Sequence, residues 1–168
     1  FVPGKGVPCL IDAFNILARE NRNYRLIMVG EGPLKAQVER KVISLGLSDQ
    51  VSFKSFIPNP QLPDLYRNSS VFVLTSINEG VPRTILEAMA CSVPVVSTKL
   101  PQLMNIVEGC GVLVPLEDPE SVAYAVSRIP TDGELAQNLG NNGRARVVKD
   151  YSWQDTVKRT LELYEELV

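Results

Sequence analysis

Apolar residues recur along this chain in two alternating rhythms. Leu10, Ala13, Phe14 and Leu17 follow the i, i+3, i+4, i+7 spacing of one helix face. Leu34, Val38, Val42 and Leu45 form a second helical stripe, which Gly46 is suited to close. Between these helices Tyr24 to Gly30 is a short apolar run of strand length, and Val51 to Phe56 alternates as a strand does. Ile57-Pro58-Asn59-Pro60 is a rigid loop, and Leu62 to Asn68 a short helix. Val71 to Leu74 and the group Val93, Val95 and Val96 are buried-strand runs on either side of a polar turn, Ser76 to Gly80. After that turn Pro82 stands where proline opens a helix, and Thr84 to Cys91 continue it.

Gly111 to Pro115 is the last strand. Asp118-Pro119 then caps a helix whose inward face carries Val122, Ala125, Val126 and Ile129. Two more helical segments follow, Asp132 to Asp150, weakened by Gly140 and Gly143, and Ser152 to Val168, with Val157, Leu161, Tyr164 and Val168 on one stripe. Trp153 reads as a core anchor. Strands and helices alternate throughout, which predicts a three-layer, Rossmann-like α/β domain, residues 1–168, around a parallel sheet of five strands. The opening Phe1-Val2-Pro3-Gly4-Lys5-Gly6 starts inside a loop, so a sixth strand, the first of the sheet, is expected upstream in a longer protein.

Composition narrows the chemistry. A chain of 168 residues, 45% hydrophobic and 21% charged, can bury a full core. Its net charge of −2 argues against a general nucleic-acid or anionic-membrane binder, and no segment is apolar enough to span a bilayer. The three cysteines, Cys9, Cys91 and Cys110, are too scattered for a metal site and are expected to be buried and reduced. There is no histidine, which removes the triads built on it and the commonest general base. Carboxylates, lysine or the substrate itself must do any chemistry.

The turn at the carboxyl end of its strand is where open α/β sheets bind ligands. Glu79 lies in it, and Glu87 is the only charge between Thr84 and Val93, on an apolar helix where a carboxylate needs a partner. The N–H groups of Arg83 and Thr84 suit a phosphate at a helix start. Two acceptors for hydroxyls flanking an anion site suggest a sugar, a diphosphate and a ribose. Taken singly, Glu79 is more often a solvated loop residue, Glu87 a surface charge and Lys5 a loop lysine.

The longer pattern resembles the EX7E motif of retaining glycosyltransferases of the GT-B fold, family 4. It is matched by Ser76, Glu79, Gly80, Pro82, Glu87, Ala88, Met89, Ala90, Cys91, Pro94, Val95 and Val96, with Ser92 in place of the usual glycine. Lys5-Gly6 is similar to the end of the family's R-x(n)-K-G signature, and Tyr151-Ser152-Trp153 to the F-S-W that opens its closing helix. Val51, Phe53 and Ile57 resemble the family's V-x-F-x-G-x-V stretch, with Ser55 for its glycine, and the loop that follows it in the family packs on the nucleotide base. After Val96, Pro101 and Gln102 stand where the family has two glycines, and Met104-Asn105 where it has Pro-Glu. That loop must therefore differ in shape.

The resemblance implies the C-terminal, donor-binding half of a two-domain enzyme that moves a sugar from a UDP-, GDP- or ADP-linked donor to an acceptor, without metal or other cofactor. Glu79 and Lys5 would be its catalytic residues. Lys5, Glu79, Gly80, Arg83, Thr84 and Glu87 would bind the donor: Glu79 the sugar hydroxyls, Glu87 the ribose, Lys5 and the Arg83 and Thr84 amides the diphosphate. The acceptor site would lie in an N-terminal domain, and the isolated half would bind donor and barely turn over. It also implies a cytoplasmic setting, with room for a peripheral seat on the membrane's inner face. Two rivals share the architecture. One is a nucleotide-sugar epimerase, for which a histidine-free chain offers few acids and bases; the other is a non-catalytic nucleotide-binding or scaffold domain, favoured by the altered 100 to 105 loop.

Overall fold

The computed structural model describes residues 1–166. The elements, in order, are α1 (Val7–Glu20), β1 (Leu26–Val29), α2 (Lys35–Ser44), β2 (Val51–Lys54), a 3-10 turn (Asn59–Gln61), α3 (Leu62–Arg67), β3 (Phe72–Leu74), α4 (Arg83–Ala90), β4 (Val95–Thr98), α5 (Pro101–Val107), β5 (Gly111–Val114), α6 (Pro119–Thr131), α7 (Gly133–Asp150) and α8 (Trp153–Glu165). The five expected strands are present and every pairing is parallel.

They do not form one hydrogen-bonded sheet. Among the described residues β1 pairs only with β2, and β3-β4-β5 form a separate set, while the expected parallel α/β architecture is present. One edge of β1 and one edge of β3 have no strand partner among the described residues. Shared packing joins the sheets instead. Met28 and Val51 from one and Val96 and Val114 from the other bury in a single cluster under α1, α2 and α6. At the carboxyl ends the loop 1–6 reaches from sheet to sheet: the Phe1 carbonyl accepts from Leu34 N–H at 3.0 Å, and the Gly4 carbonyl from Ile77 N–H at 2.8 Å.

The opposite face carries a second core, built by Tyr66 of α3, Ile85, Ala88 and Met89 of α4, and Leu103, Ile106 and Val107 of α5. Strand alternation feeds both, since Val95 faces this cluster and Val96 the other. The three layers follow from that alternation. Burying each of Ile11, Ile85, Met89 and Ile129, all under 2% exposed, stabilises the fold by about 1.5–3 kcal/mol. In α1 the buried face is wider than the predicted stripe: Ile11 is fully buried and Leu10 only partly, because the helix packs on both α6 and α2.

Three further expectations change. The segment after β4 is not a loop but α5, opened by Pro101 in its first turn and held by its buried apolar side chains. Gly140 and Gly143 do not interrupt α7, which runs unbroken through both. They let it approach α4 closely: a Cβ on Gly140 would lie 2.3 Å from the Ser92 carbonyl oxygen, and one on Gly143 3.3 Å from the Met89 side chain. Trp153 is not a core anchor; it is 77% exposed, and Val157, Leu161 and Tyr164 on the same stripe are exposed too. Val168 lies outside the described residues. Among those residues no helix is long and apolar enough to cross a membrane.

The two kinds of glycine in α7 make opposite predictions. Gly133→Ala adds a methyl to open space and should leave stability unchanged or raise it by up to about 1 kcal/mol. Gly140→Ala should lower stability by about 1–3 kcal/mol despite alanine's better helix propensity, because its Cβ meets a backbone oxygen. Urea unfolding of the two variants checks the sign.

Candidate functional site

The site is assembled where the N-terminal loop meets the turn after β3. Gly6 has φ of +63° and lies so near Thr75 that a Cβ would stand 1.8 Å from the Thr75 carbonyl oxygen. Only glycine fits both demands. The Thr75 hydroxyl donates to the carbonyls of Gly6 at 3.0 Å and Lys5 at 3.3 Å, and Ile77 N–H to that of Gly4 at 2.8 Å. This ladder carries Lys5 to the carboxylate at the far end of the chain's central turn.

Lys5 Nζ donates to Glu79 Oε1 at 2.5 Å, and the Ser76 hydroxyl donates to the same oxygen at 2.6 Å. Both bonds converge on Oε1; among the described residues none engages Oε2. The Glu79 side chain is 9% exposed while that of Lys5 is 46% exposed, so the lysine screens the carboxylate from outside. The turn is also fastened from behind. Thr98, at the end of β4, donates its hydroxyl to the Ser76 carbonyl, and Gln102, on α5, donates its side-chain amide to the Glu79 carbonyl. Gln102 stands at one of the two positions after β4 where the family pattern has glycine. The structure shows what it does there: a side chain from the next strand-end element holds the Glu79 backbone.

Pro82 is not the first helical residue, as expected, but the N-cap of α4, with φ −74° and ψ 115°. The ring fixes φ, the extended ψ is that of an N-cap residue, and Arg83 becomes the first helical residue. Arg83 and Thr84 are exposed at the helix start, where unpaired N–H groups and the helix dipole favour an anion. Gly80 is exposed, with nothing within 4 Å of where a Cβ would sit. Packing within the fold therefore does not require glycine there.

Glu87 lies one turn into α4, half-buried among Ile85, Ala88 and Met89. Its expected partner is Tyr66 of α3, whose hydroxyl donates to Glu87 Oε2 at 2.9 Å. Sequence reasoning required a partner and did not find it, because the two residues belong to different helices, 21 positions apart. Beside Tyr66, Leu65 lines an open cleft of about 650 Å³ together with Lys54, Ser55, Phe56, Ile57, Gln61, Asp64 and Asn68. That cleft occupies the loop after β2 whose sequence resembles a base-packing segment.

The cysteines stand apart from this chemistry. All three are free; Cys110 is buried, whereas Cys9 and Cys91 are only partly so, which corrects the expectation for those two. Burial raises the thiol pKa of Cys9, with Asp12 adding to the effect, and burial raises that of Cys110 against the opposing pull of Arg146. Neither is poised as a thiolate.

A family model described as "Glycosyl transferases group 1" matches residues 1–146. An uncharacterized glycosyltransferase of Methanocaldococcus jannaschii is 32% identical over 163 residues, which are 96% of this chain and 42% of that protein. Among solved structures, sucrose-phosphate synthase from Thermosynechococcus elongatus superposes with a TM-score of 0.86 at 30% identity, over 99% of this chain and 43% of the other. The C-terminal domain of a glycosyl transferase group 1 family protein (LpcC) from Francisella tularensis gives 0.82 at 26% identity, over 91% and 83%. The chain thus spans less than half the length of the first two proteins.

Gly6→Ala should destabilise the protein by about 2–4 kcal/mol, combining a disfavoured φ with a backbone clash. Chemical denaturation measures the loss. A change within error would show that the loop 4–6 is not held against Thr75.

Proposed function

We propose, from the premise that the chain belongs to the family of glycosyl transferases group 1, that it is the donor-binding half of a retaining glycosyltransferase. Its donor is a nucleoside-diphosphate sugar, linked through UDP, GDP or ADP. One observation carries this reading: a lysine, a serine and a carboxylate converge at the carboxyl end of β3, directly before a helix start and one turn from a second half-buried carboxylate.

Each group has a role its chemistry suits. Glu79 offers Oε2 to the hydroxyls of the donor sugar. Glu87 accepts the ribose hydroxyls. Lys5 and the Arg83 and Thr84 amides hold the diphosphate, and Gly80 lets that ligand approach the backbone. When the glycosidic bond to the diphosphate breaks, negative charge grows on the leaving oxygen, and a fixed cation with helix-end N–H groups stabilises it most where the charge develops. Lys5 and Glu79 are the catalytic residues in this scheme, Lys5 through the leaving group and Glu79 through the sugar.

The acceptor is bound by a separate N-terminal half, and the cleft between halves completes the active site. The likeness to a C-terminal domain solved on its own supports this division, as does the share of the longer proteins that the chain matches. A strand preceding Phe1 would find unpaired edges on β1 and β3. Residues 1–6 reach between the turns at those two strand ends, which supports the same arrangement.

Calorimetric titration of the intact protein with UDP, GDP and ADP tests the reading. One nucleotide should bind saturably, and Glu87→Ala should weaken it by about 1–3 kcal/mol through loss of charge-assisted hydrogen bonds. Lys5→Ala should also weaken it, with a smaller effect at high salt, where screening already reduces the lysine's contribution. Absence of binding to all three nucleotides and to their sugar conjugates would overturn it.

A further inference from the structure

Tyr66 lies outside the motifs at Lys5-Gly6 and between Ser76 and Val96, yet it has the chemistry of a device that sets the nucleotide subsite. It is 8% exposed, and its ring packs edge-to-face on Phe72 of β3, with centroids 5.8 Å apart and planes at 65°. Its hydroxyl meets Glu87 Oε2 at 2.9 Å. A ring walled in this way has one orientation, so the donor it presents is fixed as firmly as a backbone group.

Glu87 alone would lack such definition, because a glutamate on a helix has several rotamers and loses entropy when a ligand selects one. Vicinal hydroxyls need two acceptor sites held in one plane. A carboxylate has about four lone-pair sites. Tyr66 uses one, on Oε2, and leaves Oε1 and the remaining Oε2 site for a diol. We propose that Tyr66 is a positioning residue of this site, orienting the Glu87 carboxylate so that it recognises the 2′- and 3′-hydroxyls of a ribonucleotide. The inference rests on the donor-binding reading above. Burial, then the bond to Glu87, raises the Tyr66 phenol pKa, so the group stays a donor at neutral pH.

The position of Tyr66 in the chain adds a second link. Its neighbour Leu65 lines the open cleft after β2, so one short helix carries both a cleft wall and the residue that orients Glu87. α3 thereby couples the place suited to a base with the group suited to its ribose.

The experiment is calorimetric titration of the intact protein and Tyr66→Phe with UDP, GDP and ADP and with their 2′,3′-dideoxy forms. Phenylalanine keeps the ring against Phe72 and removes one oxygen. Tyr66→Phe should bind the ribonucleotide about three- to tenfold more weakly while binding the dideoxy form as the unaltered protein does. In a Glu87→Ala background the same change should have no effect on either ligand. Equal weakening of ribo and dideoxy forms would show a merely structural role and overturn the inference, as would unchanged ribonucleotide affinity. Failure of the unaltered protein to bind any of the ribonucleotides would instead overturn the donor-binding reading itself, so the two failures are distinct.

Discussion

The site depends on one close approach, that of the Gly6 backbone to the Thr75 carbonyl. Because a Cβ would stand 1.8 Å from that oxygen, the loop 4–6 can lie against the end of β3 only with glycine at position 6. The approach aligns a ladder of hydrogen bonds, and the ladder fixes Lys5 beside Glu79. Without it, residues 74 positions apart would have no reason to meet. The same loop reaches the turn after β1 through Phe1, so it bridges two sheets that share no hydrogen-bonded strand pair among the described residues. A local steric demand thus acts on both the architecture and the chemistry.

Helix α4 is the second organiser. One face buries Ile85, Ala88 and Met89, fixing the helix against the sheet and against α7, where Gly140 and Gly143 permit contact closer than any side chain would. Its start stands free at the carboxyl end of β3, and its second turn carries Glu87 toward α3. Packing energy on one side therefore aims polar groups on the other. The Glu79 turn is braced likewise by Thr98 and Gln102, each reaching over from β4 or from the helix after it. Glu79 and Glu87 are thus each held in part by an element other than their own.

That division explains what the sequence could reveal. Period-two and period-3.6 patterns report burial on one element, so the strands, most helices and the cap at Asp118 were legible. Glu79, Glu87 and Lys5 were legible through spacing along the chain. Contacts between elements leave no such period. The Tyr66 bond to Glu87, the split between β1-β2 and β3-β4-β5, and the tight α4 to α7 crossing at glycine all depend on three-dimensional juxtaposition. Trp153 misled for the opposite reason: its size argues for burial, but none of α8 is buried among the described residues. α5 is masked because Pro101 and Gln102 read as departures from a loop pattern, although Leu103, Ile106 and Val107 carry a helical spacing of their own.

The resting pair of Lys5 and Glu79 bears on how such a site can open to a ligand. A short ion pair appears strong, yet Lys5 is 46% exposed, and exposed pairs contribute only about 0–1 kcal/mol. Solvent and salt have already reduced the attraction. A diphosphate, with more negative charge and several acceptor oxygens, competes for the ammonium at small cost, and Glu79 keeps its Ser76 bond when the lysine leaves. The carboxylate is not stranded by the exchange, since its other oxygen is open to hydroxyls. The pair therefore neutralises the pocket before binding without locking it, which a buried pair, costing several kcal/mol to break, could not do.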